Sequence, residues 1–210
     1  MPEPLSRRST LLAHNAGSWQ GTFIRLDGSG RELERFPSSL QVEERDALIV
    51  ASLTNGSTGV VRTMEFQEPP AEMQIAAAGH WSLGPDRIGP WPWVTELCLV
   101  HGNRRRRVVV RHGSDTIESV VLVSEGRPGC GDAPPPAPHS APVLQRSEGS
   151  DQTTWLLEDS PTDRVELQLM ARRSFGMPQG VTLRWQPASS PWLEIGRSHG
   201  ASGMLDPLHT

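Results

Sequence analysis

Three charged side chains, Arg25, Arg62 and Glu96, sit on mostly apolar strand faces where alternation would aim them into a barrel interior. In WQGTFIRLD (19–27), Trp19, Gly21, Phe23 and Arg25 share a face. In VVRTMEFQ (60–67), Val60, Arg62, Met64 and Phe66 share the more apolar face. WVTELCLV (93–100) has two nearly balanced faces, and its first carries Glu96 with Val94, Cys98 and Val100. RRRRVVVR (104–111) is divided in the same way, and its first parity adds Arg106. A mostly apolar cavity with a few fixed polar groups is the usual make-up of a small-molecule site. A guanidinium inside one needs a carboxylate partner or the acid group of a ligand. Arg25, Arg62 and Glu96, with Phe23, Met64 and Phe66 around them, are therefore the candidate ligand-binding residues. The plainer reading pairs Arg25 or Arg62 with Glu96 or Glu65, or leaves both on the surface.

Other chemistries find little support. The run RRRRVVVR splits its arginines between two faces, leaving no continuous basic stripe, and no aromatics interleave to stack bases. A solvated strand, ion-paired with Asp86, Glu96, Asp115 or Glu118, is expected there. The seven histidines lie far from any metal-ligand spacing, so no metal is expected, and no nucleophile elbow, phosphate loop or dinucleotide fingerprint occurs. Catalytic residues are accordingly expected to be absent. Trp81, Trp91 and Trp93 flank a Pro/Gly loop and suit either a plug at one barrel end or an aromatic lid on which a planar ligand could stack.

The elements that must position these residues are short. Runs at 19–27, 31–45, 47–53, 60–67, 72–81, 93–100, 104–111 and 116–123 alternate with turn signals, and no amphipathic helix is evident between them. Eight consecutive strands with short connections predict an all-β, up-and-down antiparallel barrel, which removes exposed sheet edges. Pro37 bends the second strand or marks an edge there. Residues 1–125 form this barrel, the Pro-rich stretch 126–145 reads as a linker, and 146–210 as a β-rich extension or partial second barrel. Four more strands are expected at 153–158, 164–172, 180–186 and 192–196, with a frayed terminus from 198 on. The net charge of -4 and pI near 6 give no pull toward nucleic acid or anionic membranes. All 20 basic side chains are arginine, the composition of a GC-rich genome. Two cysteines, no signal-peptide pattern and no membrane-length apolar run point to a soluble, cytoplasmic protein.

Residues 10 to 125 resemble a cyanobacterial lipocalin-like family of uncharacterised function in the calycin superfamily, distantly related to the S-type phycobiliprotein chromophore lyases. The resemblance rests on GSWQGTFIRLDGSG (17–30), on AAAGHWS (76–82) and on TELCLVHGNRRRRVVVRHGSDTIESVVLVSE (95–125). It implies a lipocalin-like barrel with Gly17 and Trp19 as structural markers at its closed end. It also implies an arginine stacked on Trp19 near the end of the last barrel strand, where this chain offers Arg127, displaced past a glycine. Three functions follow as expectations. The first is a non-catalytic barrel binding an apolar or planar ligand, a bilin among the candidates. The second is a phycobiliprotein lyase or bilin chaperone, with arginines on the propionates and Glu96 near the pyrrole nitrogens. It would deliver the bilin to a cysteine of a phycobiliprotein subunit, so the nucleophile would be the client's. The third is an interaction module whose barrel is filled by its own side chains.

Overall fold

The computed structural model describes residues 6–130, 152–170, 172, 176–188 and 190–208; most of the proposed linker, 131–145, lies outside them. The segment before the first strand forms a helix, α1 (Arg7–Asn15), capped by Ser6, whose hydroxyl accepts the Ser9 N–H at 3.1 Å. Nine strands follow: β1 (Gly17–Asp27), β2 (Glu32–Arg45), β3 (Leu48–Asn55), β4 (Val61–Phe66), β5 (Gln74–Ile75), β6 (Trp81–Leu83), β7 (Trp93–His101), β8 (Arg104–His112) and β9 (Ile117–Gly126). They make one antiparallel sheet in the order β4-β3-β2-β1-β9-β8-β7-β6-β5. Pro37 lies one residue beyond the last β2–β3 pair, Ser38–Asn55; it has no N–H to give, and its carbonyl accepts the Gly56 N–H at 2.8 Å.

The sheet curls, because residues from its two ends share a core. Ile49 and Ala51 of β3 and Met73 and Trp81 near β6 belong to one buried cluster with Leu11, Trp19, Leu40 and Cys98. It does not close into the expected eight-stranded barrel, and β4 and β5 remain edges. The reason lies between them. The strand expected over 72–81 is two short pieces around a tight turn, in which the Gly79 N–H donates to Ala76 O at 2.9 Å. The segment leading to it is tied to α1 instead of to a neighbouring strand: Arg7 donates to the carbonyls of Pro70 and Met73, and Arg8 to that of Gln67. The result is a half-barrel with a helix across its open side.

The remaining strands, β10 (Gln152–Asp159), β11 (Asp163–Met170), β12 (Gln179–Pro187) and β13 (Leu193–His199), form a four-stranded antiparallel sheet in sequence order. This sheet covers the outer face of the half-barrel. Ile24, Leu97, Leu99, Val108 and Leu122 of the large sheet share a core with Leu167, Leu183, Trp185 and Ile195 of the small one. The first sheet is therefore buried on both faces along β7–β9, which explains why those strands read as continuous apolar runs with no clear parity. The chain end is not frayed as expected. Ile88 N–H donates to Gly203 O and Leu205 N–H to Asp86 O, so residues 200–206 fold back on the loop before β7. No described helix is long and apolar enough to cross a membrane.

Candidate functional site

Pairing in the large sheet aligns its inner face in rows. One runs Phe36–Phe23–Val123–Arg107–Cys98–Trp81, and the next Glu34–Arg25–Val121–Val109–Glu96–Leu83. At the β3–β4 end this face holds a cleft of about 350 Å³. Its apolar lining comes from Phe23, Phe36, Leu53, Val60 and Val121, with the two phenyl rings stacked at 5.1 Å. Arg25, Arg62, Glu34, Asn55 and Thr58 supply its polar groups. Arg25 reaches Glu34 at 3.9 Å with both side chains about half exposed, a loose pair contributing little. Arg62, across from Leu53 on the edge strand, makes no ion pair with any described residue. Asn55 is oriented by its turn, its Oδ1 accepting the N–H groups of Ser57 and Thr58 at 2.9 and 3.1 Å.

Of the residues the sequence suggested, Phe23, Arg25 and Arg62 line this cleft together. Met64 and Phe66 are on the same strand face as Arg62 but do not line the cleft: Met64 is exposed, and Phe66 packs against the inner core. Glu96 lies farther along the inner face and is bound to Arg107 at 2.8 Å. Glu34, Phe36, Asn55 and Thr58 were missed. Counting back from the hairpin turn at 28–30 would have put Leu33 opposite Arg25 and Arg35 opposite Phe23; the register shift between Arg25 and Leu26 brings Glu34 and Phe36 there instead, and nothing in the sequence marks it. The tryptophans have separate settings. Trp81 is in the inner core, Trp93 stacks on His112 at 3.6 Å between the sheets, and Trp91 is 54% exposed.

The tetra-arginine run of β8 is ion-paired but not solvated. Arg105 and Arg107 face inward and grip the fully buried Glu125, through Nε donors at 2.6 and 2.9 Å. Burial alone would raise the Glu125 pKa, but the two guanidiniums outweigh it and hold the carboxyl at about 2. Burial likewise works against the charge of Arg107, yet Glu125 and Glu96 raise its pKa. Arg106 does not join the interior, as its first parity suggested. It points to the small sheet, where it donates to both oxygens of Glu158 at 2.8 and 3.2 Å. Arg104 on the same side pairs with Asp163, which also accepts the Trp185 indole N–H at 2.7 Å. Besides Glu96, which was expected and pairs with Arg107, the partners are Glu125, Glu158 and Asp163, which were not.

Trp19 is fully buried, its indole N–H donating to Asn15 O at 2.9 Å. The guanidiniums of Arg105 and Arg127 both lie 4.3 Å from its ring centre. Gly17 makes room for this. Its φ is +104°, and a Cβ there would fall 2.5 Å from Arg127 Nη1. No group of three His, Cys, Asp or Glu among the described residues could hold a metal. The Cys98 thiol is fully buried, and burial pushes its pKa up to about 12, so it is no nucleophile.

The molecule is thus of the class of curled antiparallel half-barrels backed by a second sheet, with an arginine-bearing cleft on the inner face. Residues 6–130 match the family described as domain of unknown function (DUF3598), N-terminal, and the chain belongs to that family. A crystal structure of a protein of unknown function from the DUF3598 family of Nostoc punctiforme is similar over 96% of both chains, with a TM-score of 0.72 at 17% identity. No curated protein matches the chain.

Proposed function

We propose that the protein binds, without catalysis, a small amphipathic anion in the inner-face cleft, its apolar or planar body on Phe23 and Phe36 and its acid group on Arg62 and Arg25. The observation that carries this reading is the pairing of a stacked phenyl floor with Arg62, an arginine that has no ion partner among the described residues, in one 350 Å³ cleft. That space suits a compact ligand or one end of a longer one. A bilin is the first ligand to try, since its propionates and planar rings suit such a lining. Delivery of a bilin to a phycobiliprotein cysteine is the second reading. It is favoured by the position of the cleft beside the free edge of β4, where a client could reach the ligand. A wholly filled interior, the third expectation, fits only the Trp19–Trp81 half of the inner face, which is packed with its own side chains.

The test mixes purified protein with phycocyanobilin, phycoerythrobilin and an anionic fluorescent fatty acid. Binding is expected to shift the spectrum of at least one. Arg62→Ala should weaken it by about tenfold, the loss of one charge-assisted hydrogen bond, and Arg25→Ala by less. Both substitutions should leave thermal unfolding nearly unchanged, because both side chains are exposed. No spectral response to any of the three would overturn the reading.

A further inference from the structure

A second cavity, of about 460 Å³, opens where the end of α1 meets the turn between β7 and β8. It shares no lining residue with the inner-face cleft. His14 of α1, His80 of the turn before β6, His101 at the end of β7, Asn103 and Arg127 furnish its polar lining, and no carboxylate lines it. Three imidazoles, an amide and a guanidinium make a wall dominated by hydrogen-bond donors.

The wall is built, not incidental. His80 Nδ1 accepts the Val100 backbone N–H at 3.2 Å, which puts the proton of the neutral ring on Nε2 and leaves that nitrogen as a donor. Gly79 has φ +82°, and a Cβ there would come within 2.2 to 2.8 Å of His14 side-chain atoms, so only glycine lets the His14 ring settle on this turn. Asn15 Nδ2 fixes the same turn by donating to Gly79 O at 3.1 Å. Arg127 donates to Ala16 O at 2.7 Å and to His14 O at 3.5 Å, covering the carbonyl end of α1 that would otherwise repel an anion. Those two contacts leave three of its five N–H donors.

We propose that this cavity binds a small oxyanion, the phosphate or carboxylate group of a ligand, between His14, His80, His101 and Arg127. The charged and titratable groups around it are His14 from α1, His80 from the turn, His101 from β7 and Arg127 after β9, with Arg105 of β8 behind it over the Trp19 ring. Burial lowers the His80 pKa, and His14 and His101 lower it further, so the three rings repel one another when protonated. A bound anion relieves that repulsion, and binding therefore tightens as pH falls.

Proton NMR of the histidine ring signals in the full chain tests this, with signals assigned from single His→Gln variants. The chain is titrated with inorganic phosphate, with acetate and with sodium chloride at matched ionic strength, at about pH 6 and about pH 7.5, either side of the ordinary histidine pKa. Phosphate or acetate is expected to move the His14, His80 and His101 signals but not that of His199, with tighter binding at the lower pH. A response to phosphate alone identifies a phosphoryl ligand, and one to acetate alone a carboxylate. The double variant His14→Gln/His101→Gln, altering two rings that are not buried, should bind roughly tenfold more weakly at an unchanged melting temperature. Signals that stay still, or that sodium chloride moves equally, would overturn the proposal in the wild-type chain alone, whatever the stability of the variant.

Discussion

Glu125 is the residue on which most of the inner polar network depends. Its carboxylate is fully buried and bonded to both Arg105 and Arg107, and Arg107 also holds Glu96. Glu125→Gln leaves two buried guanidiniums short of their counter-charge, and the expected loss is ~3 to 5 kcal/mol in urea unfolding. The same group sets an acid limit. Its pKa falls from 4.5 to about 2 on folding, so its stabilisation is complete above pH 4.5 and is lost as pH drops toward 2. Wild-type stability should thus fall steeply across that window, by ~3 kcal/mol from this group. The Gln variant, with nothing to titrate at that position, should lose correspondingly less over the same range. Identical pH profiles for the two proteins would show that Glu125 is not the group responsible. From sequence alone neither of its partners was legible. Glu125 lies 18 and 20 residues from the arginines, and only the β8–β9 register brings them together.

At the scale of elements, β8 joins the two sheets through its outer face, while its inner face ties it to β7 and β9. Arg106 and Glu158 form a buried bidentate pair across the sheet interface, over the Trp185 ring. Arg106→Met alone is expected to cost ~3 to 5 kcal/mol, because Glu158 stays buried with its main partner gone. The double variant Arg106→Met/Glu158→Leu should recover most of that loss, since an apolar pair of similar volume needs no desolvation. Additive losses in this double-mutant cycle would show that the two residues act independently. Strand positions were legible for β1, β4, β7 and β8, and inward parity for β1 and β4, where one face is distinctly the more apolar or carries the aromatic residues. In β7 and β8 parity was not legible, since β7 has two nearly balanced faces, Arg and Val occur on both faces of RRRRVVVR, and both strands are covered on both sides. Helix α1 was missed for another reason: with nine residues and only Leu11 and Leu12 as bulky apolar anchors, RRSTLLAHN carries little period, and its helical state rests on the Ser6 cap and tertiary contacts.

For the whole molecule, the question is whether the half-barrel is a self-sufficient unit with a β-rich extension. The shared core bears on it directly. Ile24, Leu26, Leu97, Leu99, Val108, Val110 and Leu122 are fully buried, and in the same cluster are Trp155, Leu157, Leu167, Leu183, Trp185 and Ile195 of the small sheet. A closed barrel would bury its apolar residues inward and present a polar outside, whereas this sheet has an apolar outside that needs a cover. Removing residues 131–210 would therefore expose a contiguous apolar face and also leave Arg104 and Arg106 without Asp163 and Glu158. A chain of residues 1–130 is expected to aggregate, or to bind the dye ANS without a cooperative thermal transition. Adding residues 146–210 as a separate chain should restore cooperative unfolding if the outer face is what was missing. A cooperatively folded, monomeric 1–130 chain would mean that the inner core and the Glu125 network suffice, and that the small sheet is an appended module after all.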